Sequence, residues 1–417
     1  MSVKVRLSFR TDIGGMSENQ DECFVWRHEP SGSLVIGVLD GHGRDVGRLA
    51  AVHVKGFMQD WLTRYWSAVI ANPAEAFRIM FAEAHASMLT AFQQHLIAEG
   101  WTVKEAGGYL VKRRSMSCPW SCVHGGTSGS VVALVEGRRI LVANVGDSAA
   151  LLAMRGRALH QADLIQHSLW PEGGGVMAPC TEPGTVGDAT MPTGAFADQT
   201  LILTADHSPE SVREYMRMRA SHPHPHDVHA PHLAVVYDSP TPNKLRCQPV
   251  FELDAHGRPC VTGRGRYYKN VRREWASLVA TPPRARFQDA LAFTRSIGDF
   301  HLQCYGVSHV PDVLSLDLAG GGGCGAPQEM VSCIVACSDG IWDNWAWNEV
   351  GSFFLAPERV AQVVSSGSSE GIIEEFMAEN LRRAHANFGD QADNATAIAC
   401  YVFMTEQPHQ QQQVAAA

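Results

Sequence analysis

Residues 130–148 read SVVALVEGRRILVANVGDS, and this stretch decides the fold. Two short runs rich in Val, Leu and Ile flank Glu136-Gly137, which predicts two buried strands joined by a tight turn. The second run ends at Asp147. The stretch therefore predicts an antiparallel strand pair that delivers a carboxylate at one end.

Other apolar runs repeat this arrangement. The runs SLVIGVL, TLILTA and SCIVACS end at Asp40, Asp206 and Asp339, and the run ATAIACYVFM begins just after Asp393 and Asn394. Short runs of β-branched and aliphatic residues bounded by turn residues are typical of buried strands. Most of the predicted strands thus carry a carboxylate at one end.

Helices are predicted between these strands. Apolar residues recur with a spacing near 3.6 over residues 46–66 and 73–98, and Pro73 suits the first turn of the second helix. Residues 370–389 begin with acids and end with basic residues and a glycine, which is typical of a late helix. Pairs of strands and pairs of helices, without strict alternation, predict an α+β sandwich with sheets inside and helices outside.

Composition excludes several classes of protein. The chain has 417 residues, with 34 Lys and Arg against 43 Asp and Glu, so its formal net charge is −9. We expect no nucleic-acid partner, because no basic excess is present. We expect no membrane partner either, because no apolar run approaches the roughly 18 residues of a membrane span. The 11 irregularly spaced cysteines favour reduced thiols, and no targeting signal is visible, so we expect a cytoplasmic or nuclear protein.

The aspartates at the strand ends suggest a metal centre. Clustered carboxylates repel one another unless protons or cations neutralise them, and oxygen-only ligands favour Mg²⁺ or Mn²⁺. Two such ions can activate water and hold a phosphoryl group in line for attack. A turn is the simpler interpretation of any single Asp-Gly pair. The spacing alone therefore leaves both a metal-dependent hydrolase and ordinary turn chemistry open.

A series of motifs resolves this choice. In chain order they are ENQDECF, VLDGHG, GGTSGS, VANVGDS, LTADHSP, LAFTRSIGDFHLQCYGVSHVPDV, ACSDGIWD and ADNATAIAC, and they extend from about residue 5 to residue 404. The series resembles that of the metal-dependent type 2C serine/threonine protein phosphatases, the PPM family. The resemblance implies a central sandwich of two antiparallel β-sheets flanked by paired α-helices. It also implies hydrolysis of phosphoserine and phosphothreonine in proteins by a metal-activated water.

The resemblance also implies a domain organisation. Residues 1–405 would form the catalytic domain, with enlarged insertions at about 156–200 and 208–290, the second covering a flap beside the active site. Residues 406–417 are rich in Gln, and we expect them to be disordered. We expect a monomer that acts on a phosphoprotein substrate.

Site residues follow by matching motifs. Asp40 would bridge two metal ions, Mg²⁺ or Mn²⁺, and the carbonyl of Gly41 would bind one of them. Asp339 and Asp393 would complete the second metal site. Asp21 would hold metal-bound waters.

Two further residues complete the matched set. Asp147 would help Asp339 to bind a third, weaker ion. His42 would be the general acid for the leaving alkoxide, a role that suits an imidazole near neutral pH. A histidine that merely supports the metal site is the alternative for His42.

The chain departs from the family at two positions of the site. Gln20 replaces a carboxylate near the second metal, so we expect weaker metal binding at this ligand. Met16 stands where many members carry an arginine that holds the substrate phosphate, and a thioether cannot do so. Arg10 and Arg44 are the nearest cations in the sequence. These departures leave a pseudophosphatase, which would use the same fold as a binding or scaffold module, as the alternative function.

Three weaker patterns remain. A hydrolase of small phosphoesters is a third interpretation that no motif distinguishes. The histidines in HPHPHDVHAPH, beginning at His222, suit extended chain between prolines more than a tetrahedral metal site. The basic and aromatic segment RGRYYKNVRREW, residues 264–275, would contact an acidic phosphopeptide or partner or form a solvated face with packed aromatic residues, and we favour the solvated face.

Overall fold

The computed structural model describes residues 2–155, 165–167, 199–221, 232–318 and 330–405. The expected tail at 406–417, most of the 156–200 insertion and the histidines from His222 to His229 lie outside the described residues. The strands are β1 Ser2–Asp12, β2 Asp21–His28, β3 Ser33–His42, β4 Thr102–Ala106, β5 Tyr109–Arg113, β6 Ser121–Cys122, β7 Gly126–Thr127, β8 Gly129–Val135, β9 Arg139–Val145, β10 Ala149–Arg155, β11 Ile165–His167, β12 Gln199–Ile202, β13 Ala234–Tyr237, β14 Phe251–Leu253, β15 Pro259–Val261, β16 Ser277–Ala280, β17 Ala290–Leu291, β18 Ile297–Gly298, β19 Asp312–Asp317, β20 Met330–Cys337 and β21 Ala395–Thr405. The helices are α1 Gly47–Ala71, α2 Pro73–Ala98, α3 Val212–Ala220, α4 Phe300–Gln303, α5 Asp339–Trp342, α6 Trp347–Phe354, α7 Pro357–Ser366 and α8 Glu370–Phe388.

Two antiparallel sheets form the centre of the molecule. One has five strands in the order β1-β21-β20-β10-β12. The other has eight strands, in the order β11-β19-β9-β8-β3-β7-β18 with β2 paired to β3. The side chains between the sheets are aliphatic, as with Ile36 and Val132 on one sheet and Ile334 and Ile398 on the other. This apolar layer holds the sheets face to face, and the predicted α+β sandwich is confirmed.

The predicted hairpin of residues 130–148 is present as β8 and β9. Val135 pairs with Arg139, so residues 136–138 make the turn. Glu136 and Gly137 both adopt positive φ, at 49° and 67°, the left-handed region that a tight hairpin turn requires. A Cβ at Gly137 would lie 2.7 Å from the side chain of Val3, so the turn also packs closely against β1.

Helices cover the outer face of each sheet. α1 and α2 pack Val54, Met58 and Phe77 against the eight-stranded sheet. The later helices pack residues such as Phe354 and Phe376 against the five-stranded sheet. The predicted start of α2 is confirmed, since Pro73 is its first residue and the Asn72 side chain accepts a hydrogen bond from the backbone N–H of Glu75 at 3.4 Å.

The second insertion forms a small sheet that packs against neighbouring parts of the chain. Strands β13, β16 and β17 form a three-stranded sheet, and Tyr237, Val250 and Val279 pack in an apolar cluster with Tyr305. The described cysteines are unpaired thiols, as predicted, and Cys333, Cys337 and Cys400 are buried. Over the ranges given above, the helices are all too short or too polar to cross a membrane.

Candidate metal centre

Strand pairing brings the predicted carboxylates together at one end of the sandwich. Asp21 lies directly opposite Asp40 in the β2–β3 pair of the eight-stranded sheet. Asp147 follows β9 of the same sheet, whereas Asp339 follows β20 of the five-stranded sheet. Carboxylate oxygens of Asp40, Asp147 and Asp339 all lie within 4.8 Å of one another. Both sheets therefore contribute to one acidic centre.

A serine joins the two sheets beneath this centre. The Ser338 hydroxyl donates to Asp21 Oδ2 at 2.7 Å and accepts a hydrogen bond from the backbone N–H of Thr396 at 2.9 Å. Asp21 is only 3% exposed. This network fixes the Asp21 carboxylate on β2 relative to the ends of β20 and β21.

Ser128 links Asp40 to the turn that carries Asp147. The Ser128 N–H donates to the Asp40 carbonyl at 2.8 Å, and its hydroxyl accepts from the Asp40 N–H at 3.2 Å. The same hydroxyl lies 2.6 Å from the hydroxyl of Ser148. The backbones that carry Asp40 and Asp147 are therefore held in a fixed relation.

Two glycines allow the backbone to approach closely at the centre. A Cβ at Gly41 would lie 2.5 Å from both the Gln20 and the Gly47 carbonyl oxygens. A Cβ at Gly340 would lie 2.0 Å from the Asn394 carbonyl oxygen. A side chain at either position would push apart the segments that carry the aspartates, which explains the glycine after both Asp40 and Asp339.

The electrostatics of the centre indicate a site built for cations. Burial raises the pKa of Asp21 to about 7 although Ser338 opposes the shift, and burial and the charge of Asp147 raise the pKa of Asp339 to about 6. Burial and neighbouring aspartates place the pKa of Asp40 well above its usual range. One oxygen each of Asp21, Asp147 and Asp339 is buried without a hydrogen-bond partner. Buried, unpartnered and mutually repelling carboxylates suit hard divalent cations, so these residues fit Mg²⁺ or Mn²⁺.

His42 lies beside the centre with a fixed partner. Its Nε2 is 2.6 Å from Asp299 Oδ2, and its side chain is 22% exposed. Burial lowers the pKa of His42, but the Asp299 carboxylate outweighs burial and the pKa is raised overall. Asp299 thus favours the protonated form of the imidazole, while one part of the ring still faces solvent.

Asp299 is held in an unusual conformation by its surroundings. Its φ is 44°, in the left-handed region, and it precedes α4. A Cβ at Gly126 would lie 2.3 Å from Asp299 Oδ2, so only glycine leaves room for this carboxylate. The strained backbone indicates that the His42–Asp299 pair has a specific role.

A second buried cluster anchors the helix that follows Asp299. The imidazoles of His124 and His301 both hydrogen-bond to Asp289 Oδ2, at 2.8 and 2.6 Å. His301 belongs to α4, so this cluster fixes α4 on the insertion and on the strand that leads to Gly126.

Matches to known proteins identify this architecture. Residues 274–394 match the family model for protein phosphatase 2C. A serine/threonine phosphatase 2C from Toxoplasma gondii superposes with a TM-score of 0.51 at 16% identity, over 97% of this chain and 96% of that one. The chain has the type 2C phosphatase fold. The resemblance seen in the motifs is therefore confirmed.

Further comparisons add little detail to the type 2C assignment. A serine/threonine phosphatase from S. agalactiae superposes with a TM-score of 0.44 at 15% identity, over 95% of this chain and 99% of that one. A comparison with curated protein sequences finds no match. The roles of individual residues in this chain therefore depend on its own geometry.

The positions where the type 2C pattern is broken have local explanations. The Gln20 amide donates weakly to the Gly43 carbonyl at 3.3 Å, and its Oε1 lies against Gly47 at the start of α1. Met16 is 40% exposed. Arg10 lies 3.2 Å from Glu370 and 2.5 Å from Glu374, so its guanidinium is held on α8.

The sequence analysis missed three residues around the type 2C centre. Asp299 lies within a quoted motif but had no assigned role, and Asp343 follows Asp339 by one helical turn, with its N–H bonded to the Asp339 carbonyl at 2.7 Å. Lys269 belongs to the basic segment 264–275. Tyr268 and Trp275 of that segment stack on each other, and Val271 also donates a backbone hydrogen bond to Asp343 in the loop after Asp339. Helical spacing could have found Asp343, whereas the position of Lys269 depends on tertiary packing.

The raised pKa values predict how the stability of the metal-free protein depends on pH. Asp21 and Asp339 hold protons more tightly when folded, with pKa values of about 7 and about 6 against 3.8 for the reference group. Their stabilising effect is therefore present at acid pH and is lost as the pH rises toward those values. In EDTA, we expect Tm to fall by several degrees between about pH 5 and pH 8.

The measurement is a series of thermal melts in EDTA across this pH range. Mn²⁺ added at about pH 8 should restore Tm, because the cations neutralise the same carboxylates. In Asp21→Asn the fall with pH should be smaller. A metal-free Tm that rises from acid to neutral pH would contradict the electrostatic account.

Proposed function

We propose that this chain is a metal-dependent protein phosphatase that removes phosphate from phosphoserine and phosphothreonine. The observation that carries the proposal is the convergence of Asp40, Asp147 and Asp339, whose oxygens lie within 4.8 Å of one another. Unpartnered buried oxygens on Asp147 and Asp339 add to it. The type 2C fold and the all-oxygen character of the donors support this chemistry over other uses of the cluster.

Different residues of the chain would have different roles at the metal centre. Asp40, the Gly41 carbonyl, Asp339 and Asp393 would hold two Mg²⁺ or Mn²⁺ ions, and Asp21 would orient water at the site. When bound, these cations supply the positive charge that polarises the phosphoryl oxygens and lowers the pKa of water. The protein contributes rigidity, because both sheets fix the carboxylates before the substrate arrives.

His42 would supply the proton that the leaving group needs. A serine or threonine alkoxide is a poor leaving group unless it is protonated as the bond breaks. Asp299 Oδ2, at 2.6 Å from His42 Nε2, orients the imidazole and favours its protonated form. Partial exposure of His42 leaves room for the substrate side chain.

The pseudophosphatase alternative is not favoured. It is motivated by Met16 and Gln20, but both departures lie outside the core of the carboxylate cluster. A site that had lost its function would be expected to lose some of its buried, mutually repelling charges, because these charges destabilise the fold without a ligand. We also propose that the protein acts as a monomer on phosphoproteins of the cytoplasm or nucleus.

The test is hydrolysis of a phosphothreonine peptide by the purified full chain. We expect activity with Mn²⁺ or Mg²⁺ and none after thorough EDTA treatment, with recovery when the metal is restored. Comparison with a phosphoserine peptide and a small phosphoester at equal concentration separates a protein phosphatase from a general phosphomonoesterase. Metal binding without turnover of any of these substrates would favour the pseudophosphatase, and turnover in EDTA would exclude a metal-dependent mechanism.

A further inference from the structure

Residues 268–275 of the second insertion are docked on the loop that follows Asp339. The Val271 N–H donates to the Asp343 carbonyl at 3.1 Å. The Arg272 guanidinium donates to the carbonyls of Trp342 and Trp345, and it lies 4.4 Å from the centre of the Trp347 ring. The insertion is thus attached directly to the segment that presents one of the central carboxylates.

The docked segment is also rigid within itself. The Asn270 side-chain oxygen accepts from the backbone N–H groups of Arg272 and Glu274 at 3.1 and 3.2 Å, and its amide donates to Glu274 Oε2 at 2.7 Å. The Lys269 N–H donates to the Glu274 carbonyl at 2.8 Å. The backbone on both sides of Lys269 is therefore fixed relative to the acidic centre.

This docking directs Lys269 toward the acidic centre. Its Nζ lies 3.9 Å from Glu274 Oε2, and its side chain is 25% exposed. Burial opposes the charge of Lys269, yet its pKa is raised, because the negative charges of Asp147, Asp343, Glu274 and Asp339 outweigh burial. Burial raises the pKa of Asp147, and Lys269 is the strongest influence that opposes this shift. The Lys269 ammonium group is therefore within electrostatic range of Asp147.

The number of carboxylates in the centre shows why a fixed cation near Asp147 matters. The carboxylates that act on one another here are Asp21, Asp40, Asp147, Asp339, Asp343 and Asp393. About two divalent cations would leave such a cluster with excess negative charge, into which a phosphate dianion would have to bind. A further cation near these carboxylates would offset this charge. One oxygen each of Asp147 and Asp339 is buried without a hydrogen-bond partner, and both carboxylates act on the charge of Lys269.

We propose that Lys269 is a built-in cation of the metal centre, which takes the place of a further divalent ion at the Asp147 end. The centre would then bind two metal ions per chain rather than three. This inference rests on the metal dependence in the proposed function. It gives the enlarged insertion a defined role, because the docking of residues 268–275 is what holds the ammonium group there.

The test compares Mn²⁺ binding by the wild-type chain and by Lys269→Met, which keeps the length of the side chain but removes its charge. Equilibrium dialysis and titration calorimetry at neutral pH measure the number of ions and their affinity. We expect about two Mn²⁺ for the wild type and about three for Lys269→Met, the additional ion being the weakest. Lys269→Arg should remain near the wild-type number, because it keeps the charge.

Controls separate this inference from the function on which it rests. Arg266→Met removes an exposed charge from the same insertion and should leave Mn²⁺ binding unchanged. Lys269→Gln is a second neutral variant should Lys269→Met fail to fold, as judged by thermal melts. Unchanged Mn²⁺ number and affinity in the neutral Lys269 variants would overturn the inference, even if their KM for phosphopeptide rose. A wild-type chain that binds no Mn²⁺ would overturn the proposed function as well.

Discussion

An Asp40→Asn variant is expected to lose about a thousandfold or more of the Mn²⁺-dependent hydrolysis rate. Asparagine has nearly the same shape, and the backbone bonds between Asp40 and Ser128 can persist. The loss would therefore result from the removed charge, since one oxygen each of Asp40, Asp147 and Asp339 lies within 4.8 Å of the others and these residues are proposed to hold one cation site. A loss of about 4 kcal/mol in transition-state stabilisation corresponds to this factor.

In the absence of metal, Asp40→Asn should be more stable than the wild type. Burial and neighbouring aspartates raise the pKa of Asp40, so its ionised form opposes folding when no cation is bound. In EDTA at about pH 8, Asp40→Asn should melt at a higher temperature than the wild type, while it should gain less from added Mn²⁺. Increased metal-free stability together with lost activity would be the signature of a residue selected for function.

Asp60→Asn provides a matched control. Asp60 is an exposed residue of α1, so the same chemical change there should alter neither turnover nor the response to Mn²⁺. Turnover of Asp40→Asn within about tenfold of the wild type would remove Asp40 from the set of essential ligands.

A His42→Ala variant is expected to lose activity in a way that depends on the leaving group. For a phosphothreonine peptide, removal of the general acid should lower kcat by about 10²–10⁴-fold. For p-nitrophenyl phosphate the loss should be much smaller, because the nitrophenolate leaves without needing a proton. The ratio of the two losses measures proton donation separately from damage to the metal site.

A substitution of Asp299, the partner of His42, gives a second variant whose effect depends on pH. Asp299→Asn keeps the size of the side chain but removes the carboxylate that raises the pKa of His42. It should lower phosphopeptide turnover at neutral and alkaline pH more than at acid pH, because the imidazole then loses its proton at lower pH. His95→Ala is a suitable control, as His95 is an exposed residue near the end of α2. Equal losses on both substrates in His42→Ala would favour a supporting role at the metal site.

Local signals in the sequence predicted much of this fold. The run 130–148 carries its own turn residues, and Pro73 with Asn72 marks the start of α2, so these elements could be predicted without tertiary information. The carboxylates could be predicted as well, because each ends or begins a strand. That these carboxylates lie together at one site could be predicted only from the resemblance to a family. Pairing between strands that are hundreds of residues apart in sequence is not encoded in any local pattern.

What could not be predicted depends on contacts between distant segments. The position of Lys269 depends on the docking of Val271 and Arg272 onto residues 342–347, which are remote in sequence. The role of Asp299 depends on a left-handed backbone and on the space beside Gly126. Both features involve backbone geometry and packing that apolar periodicity does not report.

The central position of β21 in the five-stranded sheet has a consequence for how the protein is made. This strand lies between β1 and β20, and Asp393 immediately precedes it. At a synthesis rate of about 5–20 residues per second, β1 is made roughly 20 seconds or longer before β21, its partner in the sheet. During this time β1 has an unpaired edge and the sheets are incomplete. The acidic centre, with Asp393 as one of its predicted ligands, cannot assemble until the segment around Asp393 has left the ribosome. Nascent chains should therefore remain inactive, and dependent on chaperones, until β21 has been synthesised.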